Sequence, residues 1–566
     1  MSSAAEPRCG CICRFQPHNR NIKDFARLPA GQHDRKVELA APITTAEAAE
    51  NQRYRTRRLI ERSIRYFFGG NAIVAVVVLA LITIFLFREG FGFFGENLRN
   101  LRLYRSSGLE YVDIIRAQAA QHAVLTRSLN QIRLREFNVQ LQRGRSNEQA
   151  QAALAPLDQF ATAFSEAGDE LNGLVSDLND EAMGLKEALA TRDEAIAERD
   201  RLTRAGNPGA AAKIAVPVVD STATVATLRA SAPTFRLTSS TVAAKLSGLL
   251  NSAPALTSPA VQKLFRTWKE QVRDYVATLP AAYQELQSWD PTRPVPWCRG
   301  ITAFLFGRDW ITASFWQDWY GIRPLLVGSI MVSAVALIFA VPFGVAAAIY
   351  VSEIAARGEK RLIKPYIEFI SAIPSVVLGF FGIAVVGEAI RLASQSHWLS
   401  WISFFPISER LNVFTAGTLL ALMAVPTIFT LSEDALRNVP RGFKEASYAL
   451  GANRLQTIAR ILVPASLSGI ISAILLGFGR VIGETMVVLL CAGNRIEIPD
   501  FSQGLGAFFQ PVHSMTGIIA QEMGEVVRGS IHYRALFMVG LVLFTITLAI
   551  NYAAQKIVQR YRMSIG

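Results

Sequence analysis

Long apolar runs alternate with polar, basic stretches along the chain. A helix needs about 20 mostly apolar residues to cross a bilayer, and runs of this length predict about six transmembrane helices. One run is isolated and the others cluster in the second half: Tyr66 to Phe87, then Pro324 to Val351, Tyr366 to Leu392, Val413 to Leu431, Ala465 to Cys491 and Ala535 to Ala554. The pattern predicts an all-α polytopic membrane protein.

The spacing of these runs predicts four regions. Residues 1–65 form a basic tail, expected to be cytoplasmic and partly disordered, and residues 66–87 form the first transmembrane helix. Residues 88–323 are far too long for an ordinary connection, so they predict an extracytoplasmic domain. Residues 324–566 form the membrane core with the other transmembrane helices.

The predicted extracytoplasmic domain contains one long amphipathic helix. Apolar side chains recur at steps of three and four residues from Leu157 to Ile196, with acidic residues on the other face. A helical hairpin packed inside the domain is favoured over a coiled coil that dimerises, and a turn is predicted after it, at Ala205 to Lys213. Residues 216–240 are rich in Val, Thr and Ser, which is compatible with strands.

The distribution of charge orients the predicted helices. The chain is 51% hydrophobic and 18% charged, with a formal net charge of +13. Its basic residues cluster beside the apolar runs on one predicted side, which indicates cytoplasmic N- and C-termini rather than nucleic-acid binding. These clusters are Arg53 to Arg65, Arg357 to Lys364, Arg437 to Arg460 and Lys556 to Arg562.

The cysteines predict neither a metal site nor a disulfide. Cys9, Cys11 and Cys13 lie at alternate positions in the basic tail, and no paired cluster of His or Cys follows them. An unstructured, reduced tail is therefore favoured over metal binding. Cys298 has no partner on its predicted side of the membrane.

A polar stretch between two apolar runs, EASYALGANRLQTIARILVP, is the most specific signal in the sequence. Glu445, Ala446 and Ser447 offer a helix start with an acidic side chain. Gly451 permits a sharp turn, and Pro464 suits the first turn of the next helix. Such a helix-turn-helix can project from a membrane and dock into a groove of a soluble partner.

The predicted helix after this stretch carries two charges, Arg480 and Glu484. Each charge at a helix centre costs on the order of 3 kcal/mol on membrane insertion. Their i, i+4 spacing on one continuous helix would let them partly neutralise each other. A structural ion pair and an anion pathway lined by Arg480 are both open. The pathway is favoured, because a guanidinium matches two oxygens of an oxyanion at once.

Pro374 lies inside the third predicted span and removes a backbone hydrogen bond there. A gate or hinge at Pro374 and Ser375 and a simple packing kink are equally open interpretations.

The polar stretch resembles the coupling motif of ABC importer permeases, E-A-A-x3-G-x9-I-x-L-P. Ser447 replaces the third small residue and Val463 replaces Leu. The residues in register are Glu445, Ala446, Gly451, Ile461 and Pro464. The resemblance implies that a coupling segment, residues 433–464, contacts a separate ATPase and transmits its closure to the spans. This chain itself contains no G-x-x-x-x-G-K-[ST] phosphate cradle.

Further motifs resemble the PstC-type permeases of phosphate-specific ABC importers, over about Ala303 to Val558. They are FLFGRDW from Phe304, SAIPSVVLGFFGI from Ser371, GRVIGETM from Gly479 and the last loop and span from Ile518. The resemblance implies a type I importer permease fold in a bacterial inner membrane. It also implies a phosphate pathway that includes Arg480, Glu484 and Thr485.

The same resemblance implies the partners. They are a second, homologous permease of the PstA type, an ATPase dimer, an extracytoplasmic phosphate-binding protein and the lipid bilayer. No cofactor is expected on this chain, since ATP and Mg would be used by the ATPase. A permease for another oxyanion, such as sulfate or molybdate, stays open. A membrane sensor or scaffold is a less favoured alternative, suggested by the large domain and the basic tail.

Overall fold

The computed structural model describes residues 45–561, apart from residues 313, 315, 397, 399, 400, 403 and 408. The run Cys9, Cys11 and Cys13 and most of the basic tail lie outside the described residues. The chain divides into two units, residues 1–79 and residues 80–566.

The described part of the first unit is helical. Helix α1 (Thr45–Ser106) begins in this unit, and the apolar side chains that it carries from Tyr66 to Leu79 are exposed. An apolar helix exposed in this way fits a span whose surroundings are lipid.

The second unit opens with the rest of α1 and then folds into a helical domain, residues 109–306. Its helices are α2 (Leu109–Gln142), α3 (Asn147–Glu166), α4 (Asp169–Arg204), α5 (Pro208–Ala211), α6 (Ser221–Ala230), α7 (Ala232–Asn251), α8 (Pro259–Ser288) and α9 (Cys298–Phe306). α3 begins with a capping box between Ser146 and Gln149. α4 ends just before Gly206, whose φ of 78° suits glycine, so the turn predicted there is present.

Large apolar side chains fill the helical domain. Trp268 is 1% exposed, its indole Nε1 donates to the C=O of Leu125 (2.9 Å) and its ring stacks on Phe265. Phe164 and Leu171, from the predicted amphipathic pattern, are buried in the same core. The long amphipathic helix predicted here is interrupted at Ala167 and Gly168, where α3 ends and α4 begins, and both helices pack inside the domain.

Residues 216–240 are mostly helical and do not form the strands that their composition allowed. α6 and α7 occupy most of this stretch, with Asp220 capping α6 by accepting from the N–H of Thr222 (2.9 Å). Leu228, Phe235 and Val242 are fully buried at steps of seven residues. This helical spacing of apolar residues outweighs the strand preference of Val and Thr.

A bundle of helices, residues 323–561, follows a two-stranded antiparallel hairpin. In the hairpin, β1 (Trp310–Ile311) pairs with β2 (Trp319–Tyr320), with Trp310 opposite Tyr320. The bundle helices are α10 (Arg323–Ile349), α11 (Arg357–Ser371), α12 (Ser375–Phe381), α13 (Gly387–Ser394), α14 (Val413–Arg437), α15 (Arg441–Ala449), α16 (Arg454–Thr457), α17 (Val463–Ile482), α18 (Met486–Cys491), α19 (Met515–Glu522) and α20 (Ile531–Tyr561). π-helical turns follow α10 (Tyr350–Ile354), α12 (Gly382–Val386) and α16 (Ile458–Leu462), and a 3-10 helix spans Phe501–Phe509.

Within the described residues, 6 helices are long and apolar enough to cross a membrane, which confirms the predicted number. They are Ser63–Ser106, Arg323–Ile354, Ser375–Ser394, Val413–Arg437, Arg454–Ile482 and Ile531–Ile557. The all-α polytopic architecture with an added helix-rich domain is therefore confirmed.

The third predicted span, Tyr366 to Leu392, was wrong at its beginning. α11 ends at Ser371, and the helix that can span starts at Ser375. Pro374 is extended (φ −60°, ψ 138°) and forms the N-cap of α12. Proline disfavours the helical conformation in the residue before it, so α11 does not continue into α12. α11 is an amphipathic helix with basic residues that precedes the span.

The fifth predicted span, Ala465 to Cys491, was wrong as one continuous helix. α17 ends at Ile482, and helix resumes only at Met486. At the break the side chain of Glu484 accepts from the N–H of Met486 (3.1 Å), a local bond that competes with helix continuation.

Glycines bring the spans of the bundle close together. A Cβ on Gly417 in α14 would lie 2.5 Å from Val335 of α10, and one on Gly477 in α17 would lie 2.7 Å from Ile428 of α14. A Cβ on Gly328 in α10 would lie 2.1 Å from the backbone oxygen of His513, in the loop before α19. Small residues allow such close approach of helices in membranes. α10, α14 and α17 therefore form the tightly packed centre of the bundle.

Candidate functional site

The polar stretch that contains Gly451 folds into two short helical legs joined by a tight turn. α15 ends in a Schellman motif: the N–H of Ala452 donates to the C=O of Ser447 (3.2 Å), and the N–H of Gly451 donates to the C=O of Tyr448 (3.0 Å). Gly451 has φ 78°, a left-handed conformation that glycine adopts without strain. The sharp turn predicted at this glycine is present.

A buried hydrogen bond fastens the two legs to each other. The hydroxyl groups of Ser447 on α15 and Thr457 on α16 lie 2.9 Å apart, and both residues are buried. Asn453 caps the second leg by accepting from the N–H of Gln456 (2.8 Å). Ser447, where the motif has its second alanine, thus contributes a bond that alanine could not make.

The turn between the legs presents apolar side chains to the surroundings. Leu450 is 88% exposed, and Leu455 and Tyr448 are also exposed. Glu445 and Ala446 lie exposed on the first leg beside them. An apolar patch with a polar rim on the outside of a helix-turn-helix is typical of a protein-contact surface.

Two ion pairs fix this segment and its surroundings to the bundle. Lys444 on α15 pairs with Glu353, in the π-helical turn after α10 (2.7 Å). Lys364 on α11 pairs with Glu433 on α14 (2.8 Å). The carboxylate side chains are only 9% and 5% exposed, so each needs its partner. Sequence reasoning missed all four residues, although an acidic residue at the end of an apolar run was a visible signal.

An apolar cluster lies beside these ion pairs. Ile458 and Leu462 of the second leg pack there with Val351, Phe429 and Leu436 from the ends of α10 and α14. Any force on the segment therefore acts on two other spans directly through packed side chains.

The second leg runs without a break into a membrane span. One candidate span covers Arg454–Ile482, through the π-helical turn that contains the half-buried Ile461 and through α17. Pro464 lies in the first turn of α17. Arg480 is in the last turn of the same helix, about 24 Å from Pro464 at 1.5 Å per residue.

Arg480 and Glu484 do not form the expected ion pair. The helix ends between them, so the i, i+4 geometry of a continuous helix is lost. The Arg480 side chain is exposed and makes no hydrogen bond or ion pair with the described residues. Glu484 and Thr485 are half-buried at the break, and the C=O of Glu484 accepts from the hydroxyl of Thr516 (2.9 Å).

A narrow polar cleft adjoins this break. Glu484 lines it together with hydroxyl groups of Ser329, Ser333, Ser514 and Thr516, and it has space for about one water molecule. Sequence reasoning missed these hydroxyl residues, because single serines and threonines in apolar runs usually bond to their own helix. Only the fold brings α10, α18 and α19 together around Glu484.

The possible hinge pair, Pro374 and Ser375, lies at the start of α12. Pro374 is extended and Ser375 is the first helical residue, so the pair separates α11 from the third span. The pair is not part of the cleft beside Glu484. A hinge role for it stays a prediction.

Comparison with known proteins places this architecture in a transport class. Residues 340–563 match the family of the binding-protein-dependent transport system inner membrane component. The chain is 35% identical to the probable ABC transporter permease protein YqgH of Bacillus subtilis over 272 residues, 46% of this chain and 82% of that protein. It is 30% identical to the phosphate transport system permease protein PstC of Pasteurella multocida, over 47% of this chain and 82% of that protein.

One solved structure of related type is the methionine ABC transporter MetNI in inward-facing conformations. It matches with 20% identity and a TM-score of 0.31, over 43% of this chain and 94% of that chain.

The spans and the helix-turn-helix together with these matches define a membrane component of an ABC importer. The chain belongs to the PstC-type family of ABC importer permeases. A permease of this class works in a membrane with an ATPase partner and a membrane-embedded partner. The family match covers residues 340–563, so the helical domain, residues 109–306, lies outside it.

Proposed function

We propose that this chain is the permease subunit of an ATP-driven importer for inorganic phosphate. The observation that carries the proposal is the continuous helical span Arg454–Ile482. One end of this span belongs to the coupling segment, and the other end carries Arg480. Movement of a docked ATPase would reach the substrate pathway through one stiff piece of chain.

Phosphate is the substrate that the residues and the relatives favour. The Arg480 guanidinium has no partner within the described part of the chain, so its donors are available to an oxyanion. Thr485 follows five residues later, at the helix break that the hydroxyl-lined cleft beside Glu484 adjoins. Several relatives carry the name phosphate transport system permease protein PstC.

The proposal includes an orientation and a set of partners. Both termini and the coupling segment lie in the cytoplasm, where an ATPase dimer docks on Glu445, Ala446 and the exposed turn at Leu450. ATP and Mg are used by that dimer, and this chain binds no cofactor. The helical domain lies outside, where a phosphate-binding protein delivers the anion, and a PstA-type permease completes the pathway.

Alternating access needs a point where the third span can tilt. Pro374 and Ser375 begin this span after an extended residue, which allows α12 to move relative to α11. We propose this pair as the hinge.

Uptake of radiolabelled phosphate tests the substrate assignment. Arg480→Gln should lower uptake by about tenfold or more at normal protein levels, since a charge-assisted bond to phosphate is lost. Arg495→Gln is a matched control, because Arg495 forms an exposed pair with Glu497. Near-normal uptake by the Arg480 variant removes this residue from the pathway. Uptake of labelled sulfate or molybdate without uptake of labelled phosphate would assign another oxyanion.

Copurification with a P-loop ATPase tests the coupling segment. We expect Glu445→Lys, or deletion of Ala446 to Gly451, to release the ATPase from the solubilised complex. An ATPase that stays bound after both changes would refute the assignment of this segment. A chain that never binds an ATPase would instead favour the sensor or scaffold.

A further inference from the structure

A cleft among the described residues lies between the end of α1, the start of α2, α9 and the β1–β2 hairpin, away from the coupling segment and Arg480. Its volume is about 340 Å³, which is enough for a small ligand or a lipid headgroup. Leu101, Tyr104 and Trp319 form part of its wall. Arg105, Arg299 and Arg308 also line it, against two carboxylates, Glu110 and Asp309.

Two of the three arginines are free to bind a ligand. Arg105 is held by Glu110 in a two-point ion pair, with N–O distances of 2.7 and 2.8 Å. The side chains of Arg299 and Arg308 are exposed and make no hydrogen bond or ion pair with any residue that the structure describes. The cleft therefore presents two uncommitted guanidinium groups and a small excess of positive charge.

Helix α9, which supplies Arg299, has three distinct faces. Gly300 and Phe304 form its buried face. Arg299 and Phe306 face the cleft. A third line, which begins at Trp297 (74% exposed) and includes Leu305, is apolar and exposed. An exposed Trp on an apolar helix face is typical of the bilayer interface.

Contacts with α1 place α9 at the level of the headgroups. The side chain of Asn97 donates to the C=O of Gly300 (3.0 Å), and the ring of Phe94 lies 6.1 Å from that of Phe304. Phe94 is seven residues beyond Phe87, where the apolar run of α1 ends, so it lies about 10 Å further along the helix. The polar layer of a bilayer extends about 5–8 Å beyond the hydrocarbon core, so α9 lies at the outer edge of that layer.

We propose that this cleft binds the phosphate-bearing headgroup of an anionic phospholipid, in the leaflet on the side of the helical domain. Arg299 and Arg308 hold the phosphate oxygens, while the acyl chains extend toward exposed apolar side chains of α1 such as Phe87 and Phe91. A bound lipid at this place steadies the junction between the added domain and the shared permease core.

Native mass spectrometry of the full-length, delipidated chain tests the proposal, with phosphatidylglycerol as the probe. Arg299→Gln combined with Arg308→Gln should weaken phosphatidylglycerol binding about tenfold. Arg266→Gln combined with Arg273→Gln, which removes two exposed arginines from α8 of the same domain, should leave it within about twofold. Equal binding by both double variants overturns the proposal.

Two further measurements distinguish a lipid headgroup from free phosphate and test whether misfolding explains a loss of binding. Inorganic phosphate alone should bind the cleft at least about tenfold more weakly than phosphatidylglycerol, because it lacks the acyl-chain contacts. Inorganic phosphate that binds as tightly as the lipid, with the same loss in the Arg299/Arg308 variant, refutes lipid docking. The single variants Arg299→Lys and Arg308→Lys keep the positive charge. If the double variant loses binding because the charge is removed, and not because the protein unfolds, each single variant should retain most of the binding.

Discussion

The helical domain and the membrane bundle are packed through different kinds of side chain. The domain buries large aromatic residues such as Trp268, Phe164 and Phe235 in its centre. The bundle centre is instead made of close helix contacts at glycines such as Gly417 and Gly477. The bundle also leaves apolar side chains such as Phe343 exposed on its spans.

This difference follows from the two solvents. Water drives large apolar side chains into the domain, because burial of their surface stabilises the fold. Lipid is as apolar as leucine and provides no such drive, so spans associate through close van der Waals packing of small residues. If this explanation holds, a cavity in the domain core should cost more stability than a methyl group added in the bundle.

The largest effect is expected in the core of the helical domain. Trp268→Ala should lower the free energy of unfolding of that domain by about 3–5 kcal/mol, because it leaves a cavity and removes the bond to Leu125. Hydrogen exchange of the domain amides, measured in the full-length protein, reports this change. The matched control is Trp297→Ala, at an exposed position, which should leave the exchange unchanged. A loss below about 1 kcal/mol for Trp268→Ala would contradict the packing described here.

A single methyl group should be enough to disturb the bundle. Gly328→Ala should lower the stability of the bundle by about 1–3 kcal/mol, because its Cβ would meet the backbone of His513. The measurement is the melting temperature of the detergent-solubilised protein by size-exclusion chromatography. Gly479→Ala in α17 is the control, since nothing lies within 4 Å of its Cβ position. Equal melting of both variants would mean that tight glycine contacts do not limit the bundle.

The ion pair under the coupling segment should affect function more than folding. Lys444→Glu should reduce proposed transport per ATP hydrolysed about tenfold, because it places a second negative charge beside the buried Glu353. The double variant with Glu353→Lys restores opposite charges and should recover most of the coupling. Uptake and ATP hydrolysis measured in the same proteoliposomes report the ratio. Failure of the double variant to recover would exclude a positioning role for this pair.

The smallest effect is expected at the serine that departs from the coupling motif. Ser447→Ala removes one bond to Thr457, whose hydroxyl still donates to the C=O of Asn453 (3.0 Å). The cost should therefore stay at about 1 kcal/mol or less, with the ATPase still bound. Copurification and uptake check this expectation. Release of the ATPase would show that the Ser447–Thr457 bond holds the two legs together.

Much of this molecule could be predicted from local patterns. The number of spans, the long inserted domain and the turn at Gly451 follow from apolar runs, their spacing and a glycine before a second helix start. The errors arose where two local preferences of the sequence favoured different structures. Apolar length alone joined Ala465 to Cys491, whereas the local bonds of Glu484 break the helix.

The sequence by itself determined the class of the protein, because membrane spans and the coupling motif depend on residues close together in the chain. Only the tertiary structure decided the Lys444–Glu353 pair, the hydroxyl groups around Glu484 and the arginine cleft beside α9. These features join residues that are from 30 to more than 180 positions apart. The physical reason is that such contacts form only when helix packing brings distant side chains to one place, and no local spacing encodes that meeting.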